Sequence, residues 1–98
     1  MSEDRVWHVY LLECDTRLYT GVTTEPYRRL REHQSGGTRA ARFTRGAGRV
    51  NLCYSVALGD HGLALRAERR LKSLTRAEKL ALIAAQPDRR ALLDRLSL

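Results

Sequence analysis

Two tyrosines, Tyr10 and Tyr19, flank a polar turn in "HVYLLECDTRLYTGVTT", residues 8–24. A phenol can donate or accept a hydrogen bond and, once ionised, can take a proton. Gly21 lies two positions beyond Tyr19, on the same face of a strand, where a missing side chain leaves space for a ligand. Arg29 and His33 are four residues apart and share a helical face, adding a fixed cation and an imidazole. Glu68, within "RAERR", offers a carboxylate that can hold a hard cation such as Mg²⁺ through oxygen. Each group also has a plain structural alternative. Paired tyrosines on a hairpin serve as cross-strand packing. Arg29 and His33 can belong to a solvated basic face with Arg28 and Arg31. Glu68 can pair with Lys72 four residues on, or neutralise Arg66, Arg69 and Arg70.

These residues need elements to position them. Residues 6–13, "VWHVYLLE", are rich in β-branched and aromatic types and predict a strand. "CDTR" predicts the turn and 17–23, "RLYTGVT", the return strand. A two-residue loop is expected to put the tyrosines directly opposite, and a four-residue loop diagonally. A helix follows, with Thr24 as cap, Glu25 and Pro26 in its first turn, Tyr27 and Leu30 as an apolar stripe, and an end near "SGG", 35–37. With Leu30 in the middle of that stripe, Arg29 and His33 fall at its flank, beside the sheet. Residues 35–49 read as a basic, glycine-broken loop, with a short helical turn around 38–43, and long loops are often functional. "VNLCYSVAL", 50–58, predicts a third strand. Asp60 caps a helix over about 61–74, whose buried face is Leu63, Ala64, Ala67, Leu71 and Leu74, with Glu68 at the edge of that stripe. "TRAE", 75–78, is a capping box opening a helix to about Ala85. Pro87 breaks the chain before a short final helix. The order predicts an α+β fold, a three-stranded antiparallel sheet flanked by helices. It forms one domain over 1–98, with a core at about 6–85 and a C-terminal helical tail at 86–98.

The chain has 98 residues, 18 Lys+Arg against 11 Asp+Glu, and a formal charge of +7. Lys72 and Lys79 are its only lysines, so the charge is carried by arginine, whose planar fork matches phosphate oxygens. That suggests a nucleic-acid partner. Arg39, Arg42 and Arg45, with Phe43 to stack on a base, are the candidate contacts in the loop, and Arg66 and Arg69 on the helix around Glu68. A genome rich in arginine codons would give the same composition. No apolar run is long enough to span a bilayer and "MSEDRVW" is unlike a signal peptide, so no membrane and a cytoplasmic location are expected. Cys14 and Cys53 fit no metal-binding spacing and are expected as reduced thiols.

"HVY", "YTG", "RRLREH" and "AERRLK", in that order over roughly residues 6–80, resemble the GIY-YIG nuclease superfamily. The likeness is strongest to its small stand-alone bacterial members, of the UPF0213 kind. The chain departs from the pattern at His8, which stands at the first glycine, and in having no asparagine after Asn51. The resemblance implies a metal-dependent phosphodiesterase acting on DNA, with one Mg²⁺ or Mn²⁺ ion, and a place in repair or processing of structured DNA. It implies that Tyr10 and Tyr19 are the motif tyrosines, Arg29 the helix arginine, Glu68 the metal ligand, and His33 a further member of the site. In that reading an ionised Tyr10 takes a proton from water, helped by Arg29 or the metal. Tyr19 orients water or phosphate, Arg29 holds developing negative charge, and His33 assists with the phosphate or a proton. The alternative is a nucleic-acid-binding module of this fold with little or no catalysis. A third reading is an interaction protein whose arginines meet an acidic partner.

Overall fold

A computed structural model describes residues 5–35 and 49–98. The candidate contacts Arg39, Arg42, Phe43 and Arg45, and the helical turn expected around 38–43, lie outside the described residues. The elements run β1 (Trp7–Cys14), β2 (Arg17–Thr23), α1 (Pro26–Ser35), β3 (Val50–Gly59), α2 (His61–Lys72), α3 (Arg76–Ala85) and α4 (Arg89–Arg95). The three strands form one antiparallel sheet, as the sequence predicts, and their order is β2-β1-β3.

The hairpin loop is Asp15-Thr16, closed by the pair Cys14↔Arg17. Asp15 takes the left-handed region, φ 57°, which aspartate tolerates better than most residues. The turn is centred between 15 and 16, so Tyr10 pairs with Gly21 and Tyr19 with Leu12. The tyrosines are therefore diagonal although the loop has two residues. The centre of the turn, not its length alone, sets the register.

Alternation along β1 divides the core. Val9 and Leu11 face Ala64, Ala67 and Leu71 of α2, together with Leu82 of α3 and Leu92 and Leu96 of the C-terminal segment. Tyr10, Leu12 and Cys14 face the other way, with Val50, Leu52, Tyr19 and Leu30 of α1. On β3 the partners of Leu11 and Leu12 are Tyr54 and Leu52, a register shift that leaves Cys53 without an opposite residue. This bulge turns Leu52 and Tyr54 to opposite faces, although they are two residues apart.

Caps set the helix ends. Asp60 accepts from the Leu63 N–H, Asp88 from that of Ala91, and Thr75 and Glu78 form the full capping box. α1 starts one residue later than expected, with Pro26 in its first position, so Thr24 is not its cap; just before it the Thr23 hydroxyl accepts from the Glu25 N–H at 3.1 Å. Tyr27 is 67 % exposed, so the expected Tyr27–Leu30 stripe does not form. The buried residue of α1 is His33. Residues 86–98 are not a loose tail. Leu92 and Leu96 sit in the main core, the Tyr54 hydroxyl donates to Pro87 O at 2.6 Å, and Arg70 donates to Leu96 O. Both cysteines are free thiols, and among the described residues no helix is long and apolar enough to cross a membrane.

The fully buried Leu92 is expected to hold α4 in place. Leu92→Ala should lower stability by about 2–5 kcal/mol in urea unfolding, the usual cost of such a truncation in a core. Leu98→Ala, at a position 37 % exposed, should stay within about 0.5 kcal/mol of wild type.

Candidate active site

Tyr10 projects from the central strand toward α1 and is 2 % exposed. Its ring lies across the backbone of Gly21 on the neighbouring strand. A Cβ built on Gly21 would come within 2.6 Å of Tyr10 Cζ, and nearer still to the hydroxyl. The space that the sequence suggested for a ligand beside Tyr19 is thus filled by Tyr10 itself. Glycine is required there because a larger residue would lift the phenol out of position.

Across this small floor lies α1. His33 is 1 % exposed, with Nε2 3.2 Å from the Tyr10 hydroxyl. The Tyr19 ring stands 5.2 Å from the imidazole and 6.4 Å from the Tyr10 ring, centroid to centroid. Arg29, one turn earlier on α1, hydrogen-bonds Tyr10 and donates from Nη1 to Glu32 Oε1 at 2.9 Å. Glu32 also meets Arg28 Nε at 3.6 Å. The fold thus brings Tyr10, Tyr19, Arg29 and His33 together. The reading of the sequence missed Glu32, although its spacing of three from Arg29 is that of a helical ion pair.

Glu68 approaches from α2, on the opposite face of the sheet. It stands beside the buried Ala64, Ala67 and Leu71, with its side chain 20 % exposed and Oε2 3.5 Å from Lys72 Nζ. The pairing with Lys72 that the sequence allowed is therefore present. The carboxylate nonetheless acts on the Tyr10 phenol electrostatically. Arg66 and Arg69 are exposed on α2. Arg70 is tied to the C-terminal segment.

Electrostatics define the resting protonation state. Burial pushes the Tyr10 phenol up to about 12, Tyr19 and Glu68 add to the rise, and Arg29 only partly opposes it. An ionised Tyr10 at neutral pH, as the sequence reading required, is therefore disfavoured. The main reason is burial, which outweighs the neighbouring Arg29. For Arg29 itself, burial acts to lower the pKa, but its hydrogen bonds to Glu32 and Tyr10 prevail and raise it, so it stays a cation. Burial and the nearby Arg29 pull His33 down to about 4, against a smaller opposite pull from Glu32. A neutral imidazole lies beside a neutral phenol, and in the tautomer that carries its proton on Nδ1 the phenol donates to Nε2.

A comparison with known protein families matches residues 6–81 to the GIY-YIG catalytic domain. The chain belongs to the GIY-YIG family. GIY-YIG is a family of nucleases. Among relatives of known sequence, a UPF0213 protein of Klebsiella pneumoniae is 46 % identical over 91 residues, covering 92 % of this chain and 84 % of its own. The UPF0213 protein YhbQ of Escherichia coli O8 is 47 % identical over 79 residues, covering 80 % and 77 %. The solution NMR structure of a UPF0213 protein from Bacillus halodurans superposes with a TM-score of 0.53 at 38 % identity, over 83 % of this chain and 85 % of that one. That match agrees with the α+β GIY-YIG fold described above.

Two expectations follow from the packing of this site. Gly21→Ala should displace the Tyr10 ring, lower the melting temperature and shift the His33 imidazole resonances, whereas Gly62→Ala, where an added Cβ would meet nothing nearer than an Asp60 carboxylate oxygen at 3.1 Å, should leave those resonances in place. His33 should also make stability depend on pH. Its pKa is about 4 when folded and about 6.5 in an unfolded chain. Between these values the unfolded state binds more protons, so stability is full above about pH 6.5 and is lost as pH falls toward 4. The loss amounts to about 3 kcal/mol if the whole shift is realised. Urea unfolding between pH 4 and 7 should show this slope in wild type and a flatter one in His33→Gln.

Proposed function

We propose that this GIY-YIG domain is an endonuclease that hydrolyses phosphodiester bonds in nucleic acid, with DNA as the expected substrate. The observation that carries this reading is the buried Tyr10–His33 hydrogen bond with Arg29 and Tyr19 around it. A packing tyrosine needs neither a neutral imidazole at its hydroxyl nor a retained guanidinium beside it.

The family's nucleases are generally metal-dependent. Among the described residues no group of three or more His, Cys, Asp or Glu could cage an ion. Mg²⁺ needs no such cage, since one carboxylate, waters and substrate phosphate oxygens suffice. Glu68, half-buried on α2 with its side chain still partly exposed, fits that demand and would be its protein ligand, with Mn²⁺ as the substitute. When bound, such an ion neutralises the phosphate and stabilises the leaving oxygen.

The chain's own groups would do the rest. A phosphate entering beside Arg29 meets a guanidinium oriented by Glu32, an electrostatic clamp for the charge that grows on phosphorus. That phosphate also cancels the cation that depresses His33, so the imidazole becomes a better base when substrate is bound. Tyr10 then works as a relay and needs no resting phenolate. The attacking water gives its proton to the Tyr10 oxygen as the Tyr10 proton passes to His33 Nε2. The hydroxide oxygen bonds phosphorus, and the leaving oxygen departs with the electron pair of the broken bond. Tyr19 orients the water or phosphate by hydrogen bond. A second reading, a nucleic-acid-binding module with little catalysis, is favoured by one observation, the high pKa of Tyr10. Repair or processing of structured DNA is the role proposed for an active enzyme.

The test is cleavage of single-stranded, duplex, flap and branched DNA, with an RNA panel beside it, in Mg²⁺, Mn²⁺ or EDTA. Tyr10→Phe should lose about 10²–10⁴-fold, and Arg29→Ala about 10²–10³-fold or more. Glu68→Ala should lose metal-dependent cleavage while circular dichroism and nucleic-acid binding stay unchanged. Cleavage by Tyr10→Phe at the wild-type rate would return the tyrosine to packing. Tight binding by wild type without cleavage in any metal would select the second reading.

A further inference from the structure

The Tyr10 face of the sheet is built in rows, because residues paired directly across antiparallel strands point the same way. One row is Tyr19, Leu12 and Leu52, and the next is Gly21, Tyr10 and Ser55. Leu30 of α1 packs among the first, and His33 of α1 meets Tyr10 in the second. A third row follows, with Thr23 from β2, His8 from β1 and Ala57 from β3. It lies about 7 Å beyond the Tyr10 row at a strand's rise per residue. Ala57 is exposed, and His8 and Thr23 are half-buried. Among the described residues, this end of the face therefore keeps access to solvent. It also adjoins the cation of the site, since Thr23 and Arg29 line one cleft of about 120 Å³.

The chemistry of this row differs from that around Arg29. It holds no carboxylate and no guanidinium. The Thr23 hydroxyl is engaged, accepting from the Glu25 N–H at 3.1 Å. His8 Nδ1 lies 3.2 Å from Val6 O, which ties the imidazole to its own strand. A ring held in this way loses little freedom when a ligand settles against it. Small side chains on both neighbouring strands, Thr23 and Ala57, leave room beside the ring. Such a surface suits a flat ring better than an anion, and the flat rings of a nucleic acid are its bases.

We propose that this row is a base subsite, in which the base adjoining the phosphate held by Arg29 stacks on the His8 imidazole above Ala57. The inference rests on the nucleic-acid reading of the tyrosine site and deepens it, from a phosphate contact to a nucleotide contact. Every base has a π-face, so the stack contributes affinity and register with little sequence preference. His8 is also the position at which the sequence departs from the first glycine of the GIY-YIG pattern, so the contact is a property of this chain.

Binding in EDTA tests this without catalysis. A fluorescein-labelled oligothymidylate and an abasic oligomer with the same number of phosphates are titrated at one low salt concentration. Wild type should prefer the oligothymidylate by about fivefold or more, the usual effect of one stacked base. His8→Ala should lose that preference and bind the abasic oligomer as wild type does, whereas His8→Phe, which keeps a ring, should retain it. Ala57→Trp should also lose the preference, because its indole takes the place of the base, while Ala84→Trp, at an exposed position on α3, should behave as wild type. Arg29→Ala should weaken both ligands by the same factor, and melting curves should show every variant folded. An unchanged preference in His8→Ala, or an equal loss in His8→Phe, overturns the stacking contact. Equal affinity of wild type for the two oligomers overturns the base subsite while leaving the phosphate reading of Arg29 intact. A wild type that binds neither overturns the nucleic-acid reading together with it.

Discussion

The Tyr10 phenol lies flat over the backbone of Gly21, and its hydroxyl meets His33 Nε2 at 3.2 Å. The rest of the site is arranged around that contact. The ring can occupy this place only because the facing strand carries no side chain there. The hydroxyl is satisfied away from water because α1 delivers both an imidazole and a guanidinium to it. In turn His33 needs the contact: at 1 % exposure its ring nitrogens have little solvent to turn to. Changing any of these three residues would leave a buried polar group without its partner.

Charge follows from the same geometry. Burial raises the Tyr10 phenol and lowers the His33 imidazole, so both groups rest uncharged in a domain whose sequence is strongly basic. Arg29 is the cation retained beside them, and Glu32 holds it there. A polyanion brought to such a site changes the balance at once. Its negative charge offsets the guanidinium and makes protonation of the imidazole easier, which couples binding to proton movement. Glu68, on α2, acts on the same phenol through its field.

Local signals in the sequence were strong where the determining contacts are local. The Thr75/Glu78 box, the Asp60 cap, the alternating stretch of β3 and the turn around Asp15 are each fixed by residues a few positions apart. The GIY-YIG pattern of tyrosines, helix arginine and glutamate was readable as ordered motifs. What could not be read depends on partners far away in the chain. Gly21 seemed to leave a gap because its filler, Tyr10, comes from another strand whose register hangs on the centre of the turn. Tyr27 looked like core by type, yet the site asks α1 to bury His33 instead. Leu92 and Leu96 looked like a tail because nothing within their own segment reveals Leu71 and Leu82. The bulge at Cys53, which splits Leu52 from Tyr54, has no sequence mark that periodicity can detect.

The hairpin tip also acts as a clasp. Asp15 N–H donates to Arg49 O at 2.9 Å, Arg49 N–H donates to Asp15 Oδ1 at 3.0 Å, and the Gln34 side-chain amide donates to Val50 O at 2.9 Å. Both boundaries of residues 36–48 are thereby pinned to the folded body, one through the end of α1 and one through the turn. Four residues from three distant parts of the sequence, Asp15, Gln34, Arg49 and Val50, thus act as one knot that fixes where the chain leaves α1 and where it enters β3.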